Sequence, residues 1–219
     1  YWSKNIGALL QAYSLKKFIK EQNNDSEVTF NNYQPKGLIE RENQSQLKTL
    51  NPIKYLKALK KNKSLLNWKS NFAKFPNPNT TIDKFNDDVY FYGSDEIWNY
   101  QNSIFELDLH FFGEGHDKKK IAYAASIGNL NINSINNIPD QIKNNIKKFE
   151  KISVRDNNTN IFIEKITGKK KKLVCDPTLL VDIPSSKEKL SNFTNEKKYI
   201  LVYGRYFSKN EINKIKDFS

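Results

Sequence analysis

Methionine is absent from the 219-residue chain, cysteine occurs once, histidine twice, and only Arg41, Arg155 and Arg205 among 36 basic side chains are arginine. Each scarcity excludes something. A single thiol, Cys175, cannot staple a disulfide scaffold and fits a reducing compartment. At the end of an apolar strand it reads as a buried, inert thiol. His110 and His116 have no metal-ligand spacing with the cysteine or with each other, so they read as loop residues and no metal site is expected. No apolar run approaches the roughly 18 residues of a membrane span, and nothing at the N-terminus resembles a signal peptide. A cytoplasmic protein is the expectation. With no methionine there is no initiator. The chain opens on 1-YWSKNIGALL-10, which reads as a strand's end entering a helix, and it stops at 211-EINKIKDFS-219, partway through an amphipathic pattern. Further residues are expected at both ends.

The formal net charge is +12, which would suit nucleic acid or another polyanion. Its make-up points elsewhere. The positive charge is nearly all lysine, spread among asparagine and isoleucine, and runs such as 118-KKK-120 and 169-KKKK-172 sit beside strand starts, where solvated turn lysines are common. A nucleic-acid groove interleaves arginine with aromatics, so no nucleic-acid partner is expected. The hydrophobic fraction of 37% is low, but 14 Phe, 11 Tyr and 3 Trp supply bulky core material for one good-sized domain or one domain plus part of another.

Helix-like and strand-like periodicities alternate along the chain. A helix is expected from Asn5 to about Gln22 and a strand over 27–33. A lysine-rich helical insertion spans about 35–87, with helical patches at 53–61 and 64–72. Strands follow at 88–92 and 121–126, then a helix from Pro139 to Glu150, a strand at 152–154, and a helix capped by Asp156 and ended by Gly168. A strand at 172–175 leads into 176-DPTLL-180, and another is expected at 198–204. This order predicts an α/β fold, a Rossmann-like, largely parallel sheet with helices on both faces. The expected domains are 1–182, a linker at 183–196, and the opening of a second Rossmann-like domain at 197–219.

Open α/β sheets hold ligands in the crevice at the carboxyl ends of their strands. The residues at those exits are Asn5-Ile6-Gly7, Gly93-Ser94-Asp95, Ser126-Ile127-Gly128, Arg155-Asp156 and Asp176-Pro177-Thr178, all small, polar or charged. Turn chemistry alone favours such residues; as a set they outline a polar rim. Within 91-FYGSDEIWN-99, Ser94, Asp95 and Asn99 are candidate rim groups, while Trp98 packs the turn onto the sheet. Ser126 and Gly7 are small residues that bare the backbone. Arg155 is the sharpest candidate: its planar fork suits a carboxylate or phosphate, and it opens a helix whose N–H groups also favour an anion. The competing reading pairs Arg155 with Asp156 or a neighbouring carboxylate.

In order along the chain, these stretches resemble the polysaccharide pyruvyl transferase family. The matching blocks are Asn5, Gly7, Ala8, Leu10, Gln11 and Tyr13; Gly93, Ser94, Asp95, Trp98 and Asn99; 123-YAASIG-128; 153-SVRD-156; and 176-DPTLL-180. Ile6 and Glu96 depart from the family pattern, which often has an aromatic and a glutamine there. The resemblance implies a GT-B-like architecture of two Rossmann-like domains, with the chain holding the first and the start of the second. It also implies transfer of a pyruvyl group from phosphoenolpyruvate to a sugar of a cell-surface polysaccharide or its precursor, giving a ketal. No cofactor is implied, because phosphoenolpyruvate is itself the donor substrate. Arg155 would bind the donor's carboxylate or phosphate, and Asn5 and Gly7 would approach donor or acceptor. Ser94, Asp95 and Asn99 would meet sugar hydroxyls or organise the cleft, with Ser126 on the same rim. The general acid is expected beyond Ser219, and any membrane contact is peripheral, through a lipid-linked acceptor. Two other readings stay open: a GT-B-like glycosyltransferase using a nucleotide sugar, and a non-catalytic basic binding module.

Overall fold

Four short parallel strands organise the computed structural model, which describes residues 5–31, 33, 35, 52–67, 87–102, 106–132, 137–182, 202 and 207–218. The strands are Val89–Tyr92 (β1), Lys119–Ala125 (β2), Lys151–Val154 (β3) and Lys172–Leu173 (β4). They lie side by side in the order β1-β2-β3-β4, and every pairing is parallel. All four carboxyl ends therefore meet along one edge of the sheet. The described helices are Ile6–Gln22 (α1), Pro52–Asn67 (α2), Asp140–Ile146 (α3), Asn157–Thr167 (α4) and Lys209–Phe218 (α5). The passage from β2 to β3 runs through α3, and that from β3 to β4 through α4. The loop from β1 to β2 carries a 3-10 turn at Leu109–Phe112. The α/β class and the parallel sheet are as the periodicity predicts.

Local chemistry accounts for the element ends. Asp156 caps α4 by accepting from the Thr159 N–H at 2.7 Å. Gly168 closes the helix in the left-handed region at φ 74°, its N–H reaching the Glu164 carbonyl. The Asn5 side chain caps α1. Apolar residues of α3, α4 and the strands then close one core around fully buried Trp98, Phe112, Ile142, Ile146, Val154 and Phe162. Trp98 stacks on Phe112, meets Phe149 edge-on, and donates its indole N–H to the Phe111 carbonyl at 3.1 Å. Its packing role follows from those contacts.

A bulge near the end of β2 aims the chain toward the functional edge. The β2–β3 register shifts between Ala122 and Ala125, and Ala124 takes φ 51°, a left-handed conformation that costs a non-glycine residue energy. Ser153 on β3 bridges the irregularity. Its hydroxyl donates to the Ala122 carbonyl at 3.1 Å and accepts from the Ala124 N–H at 3.4 Å.

Several elements differ from expectation. Residues 27–31 form no strand; Phe30 lies under the Lys16 ammonium instead, 4.7 Å from ring centroid to Nζ. The helix after Pro139 ends at Ile146, because Lys148 and Phe149 turn back to pair with Asn145 and Ile146. The last strand stops at Leu173, with the Val174 N–H making its final bond to Val154, so Cys175 is exposed rather than buried. The two helical patches at 53–61 and 64–72 form one helix as far as Asn67; residues 68–72 and the strand expected at 198–204 lie outside the described residues.

By its internal contacts the chain divides into two compact units, Tyr1–Asp182 and Ile183–Ser219. Within the second, α5 begins with a reciprocal cap: Ser208 N–H and Oγ donate to Glu211 Oε2 at 2.7 and 2.6 Å, and the Glu211 N–H reaches Ser208 Oγ at 3.3 Å.

Candidate functional site

The start of α1 stands against the exit from β4. Asn5 Oδ1 accepts from the Gly7 N–H at 2.9 Å, fixing the first turn. One turn on, the Gln11 amide donates to Asp176 Oδ2, tying the helix to the 3-10 turn Pro177–Leu179. Between them opens a cleft of about 260 Å³ lined by Asn5, Gly7, Ala8, Leu10, Gln11, Asp95, Asp176 and Thr178. It lies at the carboxyl edge of the sheet, where parallel α/β folds place ligands. Gly7 has little room for a side chain: an added Cβ would lie 3.2 Å from Asn5 Oδ1.

Asp176 is the hub of this edge. Its Oδ1 accepts from the Thr178 N–H at 3.0 Å and the Thr178 hydroxyl at 2.8 Å, while Oδ2 accepts from Gln11 and from Arg155 Nη1 at 3.2 Å. Burial pushes its carboxyl up, but the hydrogen bonds from Thr178, Gln11 and Arg155 outweigh that and hold it below the ordinary carboxylate value. The group stays ionised and binds three chain segments together. Of the two readings of Arg155, the structure shows the pairing with a neighbouring carboxylate, and the partner is Asp176 rather than Asp156. The Arg155 side chain is 25% exposed.

A second relay joins the exits of β1, β2 and β3. The Ser126 N–H donates to the Asp95 carbonyl at 3.2 Å, and the Trp98 N–H donates to the Ser126 carbonyl at 3.1 Å. Ser126 Oγ donates to Asp156 Oδ2 at 2.6 Å and accepts from the Gly128 N–H at 2.8 Å. Gly128 takes φ 57°, and the Glu96 carboxyl occupies the space a side chain there would need. Glutamine, of the same shape, would fit equally well, which is why the departure at Glu96 leaves the turn intact.

The candidates thus separate into three groups. Asn5, Gly7 and Asp95 line the cleft. Arg155 does not line it but is joined to it through Asp176. Ser94, Asn99 and Ser126 are buried, at 2, 5 and 0% exposure, within the framework beneath the rim. Ser126 is fully engaged by Asp156 and Gly128, whereas Ser94 Oγ and Asn99 Oδ1 have no hydrogen-bond partner among the described residues. Gln11, Asp176 and Thr178 were not singled out as site residues, although each stands in one of the five blocks. Asp176 is the neighbouring carboxylate of the second reading of Arg155, and nothing in the sequence marks it over Asp156.

The histidines lie off the cleft lining. His110 stacks on Tyr33 at 3.5 Å between ring centroids, and the Tyr33 hydroxyl donates to Asp108 at 2.6 Å. His116 pairs with the Tyr92 hydroxyl at 2.8 Å. Burial lowers the His110 pKa from 6.5 to about 4, with Asp108 opposing the shift and His116 adding to it. As the pH falls through that window, the unfolded chain takes up a proton that the folded state refuses. Stability is therefore fully present above the unfolded value and falls as the pH drops toward the folded one. Urea midpoints should decrease from neutral pH to about pH 4.5, and His110→Phe should flatten part of that decrease.

Fold and cleft together define an α/β protein with a polar cleft at the carboxyl edge of a parallel sheet, lined from three separated stretches of sequence and backed by two more. The family model for polysaccharide pyruvyl transferases matches residues 5–218, and the chain belongs to that family. Searches of curated proteins and of solved structures gave no match.

Proposed function

We propose that the protein transfers a pyruvyl group from phosphoenolpyruvate to a sugar of a cell-surface polysaccharide or its precursor, forming a cyclic ketal and releasing phosphate. One observation carries most weight: the five blocks, spread from Asn5 to Leu180, converge on one sheet edge through Gln11–Asp176–Arg155 and Asp95–Ser126–Asp156.

The chemistry needs an anion holder, a hydroxyl-binding surface and a proton source. C3 of the enol takes a proton, leaving an electron-poor C2. One sugar hydroxyl attacks that carbon and gives up its proton, the C2–O bond to phosphate breaks, and a second hydroxyl then adds to C2 and loses its proton, closing the ring. In this reading Arg155 holds the donor's carboxylate or phosphate. Asp176 engages only Nη1 of the fork among the described residues, so the remaining N–H groups suit an incoming anion. Asn5, Gly7 and Asp95 face the acceptor or donor from the cleft, while Ser94, Asn99 and Ser126 organise the loop beneath. The general acid is assigned to none of these residues. A GT-B-like pairing of two Rossmann-like domains belongs to the same reading.

The test is phosphate release from phosphoenolpyruvate by the full-length protein with candidate sugar acceptors. Acceptor-dependent release supports the reading. Turnover of a nucleotide sugar instead would replace it with a glycosyltransferase.

A further inference from the structure

The cleft between α1 and the β4 exit has a charge pattern of its own. No lysine, arginine or histidine lines it among the described residues, whereas two carboxylates, Asp95 and Asp176, do. Arg155 balances Asp176 from outside the lining. Asp95 has no described cation against it: Oδ1 accepts from the Glu96 N–H at 2.8 Å, and Oδ2 takes no hydrogen bond from a described residue. Thr178 spends its hydroxyl proton on Asp176, which leaves that oxygen's lone pairs to accept. Gln11 donates to Asp176 through its amide nitrogen, and its carbonyl Oε1 accepts from no described residue. The Gly7 N–H, the kind of helix-start donor an anion would use, is already taken by Asn5 Oδ1. What the lining leaves open is mainly oxygen acceptors around net negative charge. Ala8 and Leu10 add an apolar strip.

We propose that this cleft is the acceptor subsite and that it takes a neutral sugar, with Asp95 turning away acidic ones. A sugar ring supplies what the cleft lacks: hydroxyl donors for Asp95, Gln11 and Thr178, and a C–H face for Ala8 and Leu10. Hydrogen bonds from a hydroxyl to a carboxylate are of the strong, charge-assisted kind. Phosphoenolpyruvate instead brings a carboxylate and a phosphate, both acceptors and both anionic, so the same lining repels it. The donor then lies outside the cleft, on the part of the Arg155 fork that Asp176 leaves open. Asp176 stands between the two, bonded to Arg155 through Oδ2 and to Thr178 through Oδ1. A uronic acid would set its carboxylate against Asp95 with no described cation to offset it. At about 260 Å³ the cleft is smaller than the roughly 300–1,000 Å³ of drug-sized ligand sites, a fit for one sugar residue. Neutral-sugar binding stands on the cleft alone, while the role of acceptor rests on the pyruvyl-transfer reading.

The test is ligand-observed NMR titration of the full-length protein, without donor, against methyl glycosides of glucose, galactose, mannose and their N-acetylhexosamines, each hexose beside its uronate. At least one neutral glycoside should bind saturably, and its uronate at least about five-fold more weakly. Asp95→Asn keeps an oxygen for the Glu96 N–H and should melt with the wild type. It should weaken the neutral glycoside roughly five-fold or more and narrow its lead over the uronate. Phosphoenolpyruvate affinity, measured by isothermal titration, should be unchanged or tighter in the same variant. Three results overturn the proposal: no neutral glycoside binds, the preference over uronates survives Asp95→Asn intact, or Asp95→Asn weakens phosphoenolpyruvate while leaving the glycosides alone. Phosphate release from phosphoenolpyruvate is scored separately. Glycoside binding without such release would sink pyruvyl transfer and spare the cleft; release by a protein that binds no neutral glycoside would do the reverse.

Discussion

Arg155→Lys is expected to lose roughly 10²-fold or more in kcat/KM for phosphoenolpyruvate while unfolding close to the wild-type temperature. Lysine keeps the charge and can still reach Asp176, so the link between the β3 and β4 exits persists in part. It lacks the second guanidinium nitrogen. In the wild type Asp176 takes Nη1 at 3.2 Å, and the rest of the fork is what a carboxylate or phosphate would use. A point charge cannot serve both Asp176 and the donor in fixed geometry. The loss should fall mainly on KM if the fork holds the donor equally in ground and transition states, and on kcat if it grips the departing phosphate. Steady-state kinetics beside a thermal melt separates this from simple misfolding. Near-normal kinetics would remove Arg155 from the site.

Gly93→Ala should destabilise the protein by about 3–5 kcal/mol. Gly93 directly follows β1 at φ 131°, a conformation that L side chains rarely adopt, and an added Cβ would sit inside van der Waals range of the Tyr123 carbonyl oxygen on β2. The obstacle is main chain within the sheet rather than the tip of a flexible side chain, so relief would require parting β1 from β2. Because Gly93 launches Ser94, Asp95 and Trp98, the variant should also lose cleft function at temperatures where it remains folded. Urea unfolding measures the first effect. Gly168→Ala is a useful contrast, since an added Cβ there meets nothing within 4 Å and only the left-handed φ of 74° opposes it.

These contrasts show what sequence could and could not reveal. Local chemistry was legible: the Asp156 and Gly168 caps, the Asn5-led helix start and the β-rich 88-DVYFY-92 stretch each carry their own instructions. The carboxyl-edge rule then located the rim, because in a parallel sheet all strand exits share one side. Partner choice was not legible. Ser126 and Asp95 look alike as exposed turn residues, yet Ser126 is withdrawn under the rim by Asp156, 30 residues away. Arg155 carries no mark in the sequence that its carboxylate would be Asp176 and not adjacent Asp156. Asp156 is already committed to Thr159 and Ser126, which leaves Asp176 to balance the guanidinium. Cys175 differs from expectation for a similar reason: an apolar run suggests burial, but β4 ends as soon as β3, its one neighbour among the described residues, does.

Arg155, held by Asp176, is proposed to receive the donor anion. Isothermal titration of the full-length protein with phosphoenolpyruvate, compared between wild type and Arg155→Lys at matched ionic strength, tests it most directly. Saturable binding in the wild type, weakened at least about ten-fold in the variant, is the predicted result. Equal affinity in the two proteins would contradict the account.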